Sequence, residues 1–317
     1  MWWIYAPSVK ITPQRYRMFA GFALFCVAAI IVTGAAVRVT GSGLGCPTWP
    51  SCEKGSLTPT SASDGHAIIE FVNRMFTGLI AIATIGAVLA AWFRVPKRKD
   101  LLWWSGIVAA FIPLQAIVGG VTVRVKLNPA AVATHFLLSV PIAGAALILW
   151  RRAAFEHDTQ LEDARVQWPS SDTRSRRVWL SRLIVALAFA VHVAGTAVTG
   201  TGPHGGDPKV ERFGFSALAA VRVHGVLVWT LLACVVAFAL LGRNDQNASI
   251  FRGTYRLVAA VVLQGAIGYI QWWRGIPAGL VLIHVGVAVL VWLAAVDLAW
   301  RTQFNVRSRS VESPTVA

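Results

Sequence analysis

Eight stretches of the chain, near 18–37, 67–93, 101–122, 131–150, 178–199, 217–241, 253–273 and 278–300, are each long and apolar enough to cross a lipid bilayer. A crossing helix takes about 20 residues at 1.5 Å of rise each. Inside hydrocarbon a segment must satisfy its own backbone hydrogen bonds, so these runs predict helices rather than open strands. Composition agrees: 56% hydrophobic and only 14% charged residues over 317 positions is far too apolar for a soluble chain. The expected fold class is an all-α integral membrane protein with eight transmembrane helices.

The formal net charge of +15 invites a nucleic-acid reading, but its placement argues against one. If the N-terminus is cytoplasmic, 20 of the 29 Lys and Arg residues fall on the cytoplasmic side and 7 on the other, with Arg74 and Arg222 inside helices. That asymmetry is the positive-inside signal and predicts both termini in the cytoplasm. The basic charge is topological, and no nucleic-acid partner is expected. The first apolar run has a counterpart in the second half of the chain, so it reads as a retained helix rather than a cleaved signal. Nothing before it resembles an organelle transit peptide, and the expected location is a bacterial cytoplasmic membrane.

The chain is written twice. "VTGSG" at 39–43 returns as "VTGTG" at 198–202, and "LQAIVGG" at 114–120 returns as "LQGAIGY" at 263–269. Leu114 precedes His135 by the same 21 residues as Leu263 precedes His284, and the alignment sets Asn73 against His224. These matches predict two tandem, pseudo-symmetric four-helix bundles, 15–150 and 178–302. Residues 151–177, rich in Arg, Asp, Glu and Ser, are expected to form a mobile cytoplasmic linker, and 303–317 a cytoplasmic tail.

Of seven histidines, three stand out. His135, His224 and His284 lie in the fourth, sixth and eighth runs, each a few residues inside the outer end, and Asn73 lies at the same depth in the second. Two such side chains facing each other across a bundle fit the axial positions of a haem iron. His224 and His284 are therefore the expected ligands of a haem. His157 falls in the linker and reads as solvated, His66 and His204 read as surface residues, and His192 as a hydrogen bonder within a bundle. Arg74 follows Asn73 and Arg222 precedes His224 by two. A buried arginine needs an anion. Haem propionates are one candidate; an acidic side chain or the headgroup region are the others.

The halves differ chemically. In the second, Val221 stands where the first has Glu70, and two histidines without an acid suit electron transfer. In the first, His135 faces Asn73, with Glu70 on the same face as Asn73 at i, i+3. A haem there would have a weakly held position beside an ionisable acid, a candidate proton donor or acceptor. Cys46 and Cys52 lie in "GCPTWPSC", in a loop expected outside the cell, where a disulfide is permitted. Cys26 and Cys234 read as small core residues.

"SGLGCPTWPSC", then "IIEFVNR", the fourth-run His135 and the second-half histidines together resemble the haem A synthase family of bacteria and mitochondria. The resemblance covers about residues 15–302. It implies that haem O is the substrate in the N-terminal bundle and that haem b is a cofactor in the C-terminal one. It further implies that the C8 methyl is hydroxylated twice and dehydrated to a formyl group, giving haem A for cytochrome oxidase. Glu70 would be catalytic; His224, His284 and Arg222 would hold the cofactor; His135, Asn73 and Arg74 would hold the substrate haem. Molecular oxygen, a membrane electron donor, haem O synthase and membrane lipid are the implied partners. The family's second-run motif commonly reads Glu-x-x-His-Arg; here Asn73 takes the place of that histidine. A non-catalytic membrane cytochrome b would also use the paired histidines but has no need of Glu70. A haem transporter or chaperone would use exchangeable ligation in both halves.

Overall fold

A computed structural model describes residues 10–60, 64–207, 209–243 and 247–304. Residues 305–317, most of the expected tail, lie outside the described residues. Nine helices are present among the described residues: α1 (Pro13–Val39), α2 (Gly65–Trp92), α3 (Lys99–Arg124), α4 (Pro129–Arg152), the short α5 (Asp158–Asp163), α6 (Ser171–Thr201), α7 (Ala217–Leu241), α8 (Ala248–Trp273) and α9 (Ala278–Arg301). All but α5 are long and apolar enough to span a membrane. The chain is an all-helical, multi-pass membrane protein.

The helices start where side chains can take their orphan N–H groups. Thr12 accepts from Arg15, Asp64 from Ala67 and Ser170 from Thr173, while Pro13 and Pro129 occupy first-turn positions that need no donor. Two inter-helix turns share a geometry. Lys126 and Leu127 close α3–α4 with φ of 51° and 57°; Gly275 and Ile276, 149 residues later, close α8–α9 at 75° and 58°. The sequence repeat is thus also a repeat of backbone shape.

Within the first half α1 packs on α2 and α4, and α3 on α2 and α4; within the second α6 packs on α7 and α9, and α8 on α7 and α9. Consequently α2 lies diagonally from α4, and α7 from α9. The halves meet where α9 touches α1 and α4 and where α4 touches α6. Small residues permit that meeting: Gly144 of α4 lies against the Trp292 indole of α9, with Ala143, Ala146 and Ala295 buried nearby. Close approach and dispersion contacts, rather than escape from water, drive association of helices in lipid. Large apolar side chains such as Ile82, Trp103 and Trp273 stay exposed and face the membrane.

The loops gather at two ends. At one, here the disulfide end, Gly43 donates to the Gly206 carbonyl (3.0 Å), Arg38 to Thr199 (2.7 Å), and His204 Nε2 lies 2.8 Å from the Ile276 oxygen. At the other, Asp297 of α9 pairs with Arg151 of α4 (2.5 Å) and with Arg301 (2.7 Å), joining the halves through buried charges.

The stretch 151–177 departs from the expected mobile linker. It holds α5 and the first turns of α6, Phe155 and Leu161 are buried with Trp300, and Val166 N–H donates to the Gln303 carbonyl (3.0 Å). Buried Arg94 donates to the carbonyls of Phe155 (3.1 Å) and Glu156 (2.9 Å). Composition suggested a solvated loop; a few apolar residues and one arginine fold it onto the helix ends.

Candidate functional site

The first-half site grows from one face of α2. Glu70 and Arg74, four residues apart, stack along that face and pair: Arg74 Nη2 lies 2.5 Å and Nε 3.1 Å from Glu70 Oε1. The other carboxylate oxygen accepts the Cys46 N–H at 2.8 Å. Arg74 then donates to the carbonyls of Cys46 (3.1 Å), Thr48 (3.0 Å) and Ser51 (3.1 Å). Cys46 and Cys52 form a disulfide with Cα atoms 4.4 Å apart, and both are fully buried. The acid, the arginine and the loop are one unit: a buried ion pair whose remaining lone pairs and donors are met by loop backbone. Arg74 was expected on a propionate. All five of its N–H groups are already engaged, so it reaches a propionate only by releasing one of these bonds.

Asn73 turns to α1, where the Thr33 hydroxyl lies 2.8 Å from its Oδ1. His135 projects from α4 beside Gly119 of α3, at which a Cβ would lie 3.2 Å from the imidazole Cε1. The Gln115 side-chain amide lies 2.8 Å from His135 Nδ1 and 2.8 Å from the Ser139 hydroxyl. With its nitrogen toward the ring, that amide donates to Nδ1 and its oxygen accepts from the Ser139 hydroxyl, so the side chain holds the imidazole from behind.

The second half repeats this seat. A Cβ at Gly268 of α8 would lie 3.3 Å from His284 Cε1, and one at Gly195 of α6 would lie 3.4 Å from His224 Cε1. His224 Nδ1 lies 3.2 Å from the Val191 carbonyl, which fixes the proton there and frees Nε2. Gln264, the repeat mate of Gln115, donates to the His284 backbone oxygen (3.0 Å); its Oε1 and His284 Nδ1 are both buried without a partner. Arg222 is exposed and makes no ion pair among the described residues. Each histidine is thus oriented from behind by a neighbouring helix.

Among the described residues no three His, Cys, Asp or Glu side chains cluster as a bare-metal site. The imidazoles come singly on diagonal helices, a donor set that suits an iron whose other four ligands are porphyrin nitrogens. These residues fit a haem.

His192 is the site feature the sequence reading undervalued. Its Nδ1 bonds the Ala188 carbonyl (2.7 Å), as expected, but its ring also stacks on Phe136 (6.3 Å, 22°) and meets Trp292 edge-on (6.0 Å). His192 therefore sits at the seam, between Phe136, the residue after His135, and Trp292 of α9. The repeat contained a signal: the "VTG" alignment sets it against Thr33, the partner of Asn73. His66 bonds Ser42 (2.9 Å) at the disulfide end.

Residues 17–203 match the family model COX15-CtaA, described as cytochrome oxidase assembly protein. A heme A synthase of Listeria welshimeri is 31% identical over 150 residues, 47% of this chain and 48% of that protein. One of Lysinibacillus sphaericus is 30% identical over 151 residues, with the same coverage. One of an Exiguobacterium species is 25% identical over 259 residues, 80% of this chain and 82% of that protein. In the more identical alignments the chain spans about half the length of the relatives it matches.

Proposed function

We propose, since the chain belongs to the COX15-CtaA family of cytochrome oxidase assembly proteins, that it oxidises the C8 methyl of haem O to a formyl group and so makes haem A. The observation that carries this reading is the chemical asymmetry of a duplicated architecture. One half offers two histidines and no acid at the position of Glu70; the other offers one histidine, an amide and a buried acid. The two rings of helices are taken as pseudo-symmetric bundles, 15–150 and 178–302, with the termini cytoplasmic and the disulfide end outside a bacterial cell membrane.

In the second bundle His224 and His284 would ligate haem b, His224 through the Nε2 that its Val191 contact leaves free, with Arg222 for a propionate. Haem b, when bound, supplies one-electron transfer. In the first bundle His135 would hold the substrate haem O from one side. Asn73, tied to Thr33, leaves the opposite position weakly held or open. Glu70 would hold or move a proton beside the reacting methyl. Arg74 would keep that carboxylate in place and bind the disulfide loop over the pocket, shielding it from water. Oxygen and an electron donor in the membrane complete the balance; a haem O synthase is the natural source of substrate.

The test is pigment extraction from purified protein, followed by spectroscopy of variants. The synthase predicts haem B together with haem O or haem A, and loss of the low-spin spectrum in His224→Ala and in His284→Ala. Haem B alone, with no haem A formed from added haem O, would leave a cytochrome b. Full low-spin occupancy in the double variant would refute the ligand assignment.

A further inference from the structure

Between α2 and α3 a groove of about 310 Å³ runs from Arg74 and Thr77 down past Gly78 and Ala81 of α2, with Ala109 and Pro113 of α3 on the opposite wall. It opens to the lipid face, where Gly78 and Pro113 are exposed. Its upper end adjoins the candidate substrate pocket, since Thr77 follows Asn73 by one helical turn. Pro113 has no N–H to return to the Ala109 carbonyl, so one backbone acceptor on the groove wall lacks its helical partner.

The repeat shows what this seam would be if closed. By the register that pairs Asn73 with His224, Gly78 corresponds to Trp229 and Ala81 to Leu232; by the register that pairs Leu114 with Leu263, Ala109 corresponds to Val258 and Gly120 to Tyr269. Trp229 and Tyr269 lie on the lipid face of α7 and α8, and the indole Nε1 donates to the tyrosine hydroxyl at 3.3 Å. The cofactor half therefore carries an aromatic strap across its two helices, whereas the substrate half has Gly78 in the open groove and Gly120 buried above it against the Trp49 indole.

We propose that the α2–α3 groove is the lateral port and seat for the isoprenoid side chain that distinguishes haem O from haem B. The inference rests on the assignment of the first bundle to the substrate. A resident cofactor without a tail needs neither exit nor groove, which matches the strapped α7–α8 seam. A tailed substrate that arrives and leaves through lipid needs both: a polar upper end, here Arg74 and Thr77, for the macrocycle edge and an apolar trough open to the bilayer for the chain. The volume falls in the range of small-molecule sites.

The experiment transplants the strap. A Cβ at Gly78 meets nothing within 4 Å, so a side chain can be introduced there without a backbone clash at its first atom. Haem O and haem B are each titrated into detergent-purified full-length protein whose second-half haem is already bound. Wild type should bind haem O at least about tenfold more tightly than haem B, and Gly78→Trp should erase that preference while leaving the low-spin second-half spectrum unchanged. Ala81→Leu should weaken haem O in the same sense, and it decides the matter if the tryptophan variant loses the low-spin spectrum. Wild-type haem O affinity in the variants overturns the groove assignment alone. A wild-type protein that takes up no haem O overturns the substrate reading, and the groove with it.

Discussion

Glu70→Gln separates chemistry from architecture at the candidate site. Glu70 is 5% exposed and accepts three hydrogen bonds, one from Cys46 N–H and two from Arg74. Glutamine offers one oxygen where the carboxylate offers two. If that oxygen faces Arg74, the amide nitrogen opposes the Cys46 N–H and a buried donor is lost, costing about 1–3 kcal/mol. If it faces Cys46, Arg74 keeps its three loop carbonyls but meets an N–H group where it met a charge, a loss of similar size for a charge-assisted bond. Either way the 46–52 loop should undock more readily by about 1–3 kcal/mol, on the order of 5- to 150-fold in the docking equilibrium. The helices do not depend on this bond, so expression and the second-half spectrum should persist. Two assays follow. Hydrogen exchange at Cys46 should accelerate by that factor, and haem A formation should fall below a few per cent of wild type. Arg74→Gln supplies the comparison, because it loosens the same loop but leaves the carboxylate. If Arg74→Gln retains measurable turnover and Glu70→Gln retains none, the carboxylate acts beyond the clamp. Wild-type haem A formation by Glu70→Gln refutes the catalytic assignment, and unchanged exchange refutes the clamp.

Asp297→Asn should leave Arg151 and Arg301 facing each other across the α4–α9 seam without their shared anion, at a cost of about 3–5 kcal/mol; a clearly lowered thermal midpoint in detergent checks this, and an unchanged one refutes it. Asn73→His should release Thr33 and add a second axial ligand in the first half, seen as a new low-spin component when haem O is bound; no spectral change would mean that Asn73 does not face the iron. In the double variant Cys46→Ser with Cys52→Ser, the 46–60 loop should become protease-sensitive while the second-half spectrum stays intact. Continued protection would show that Glu70 and Arg74 alone hold the loop.

The eight spans and the repeated motifs that single out Asn73, His135, His224 and His284 were legible in the residues. Apolar run length and helical rise are local quantities, and a repeat preserves register. The disulfide was legible too, because Cys46 and Cys52 are only six residues apart in a proline-bent loop. Partner choice was not. Arg74 could have served a propionate, a headgroup or Glu70, and only the way the loop folds back over α2 brings three carbonyls within reach of its remaining donors. The polar stretch 151–177 looked solvated because composition averages over residues, whereas its fold rests on a few that meet the ends of α4 and α9. His192 gained its place at the seam from Phe136 and Trp292, which belong to different halves and lie 56 and 100 residues away in sequence. The open α2–α3 seam depends on Gly78 and Ala81 facing Ala109, a pairing of faces set by how the helices pack. Sequence alone determined which elements form. Tertiary packing decided which polar groups satisfy one another and which seams stay open, because those outcomes depend on distances between faces that no single segment encodes.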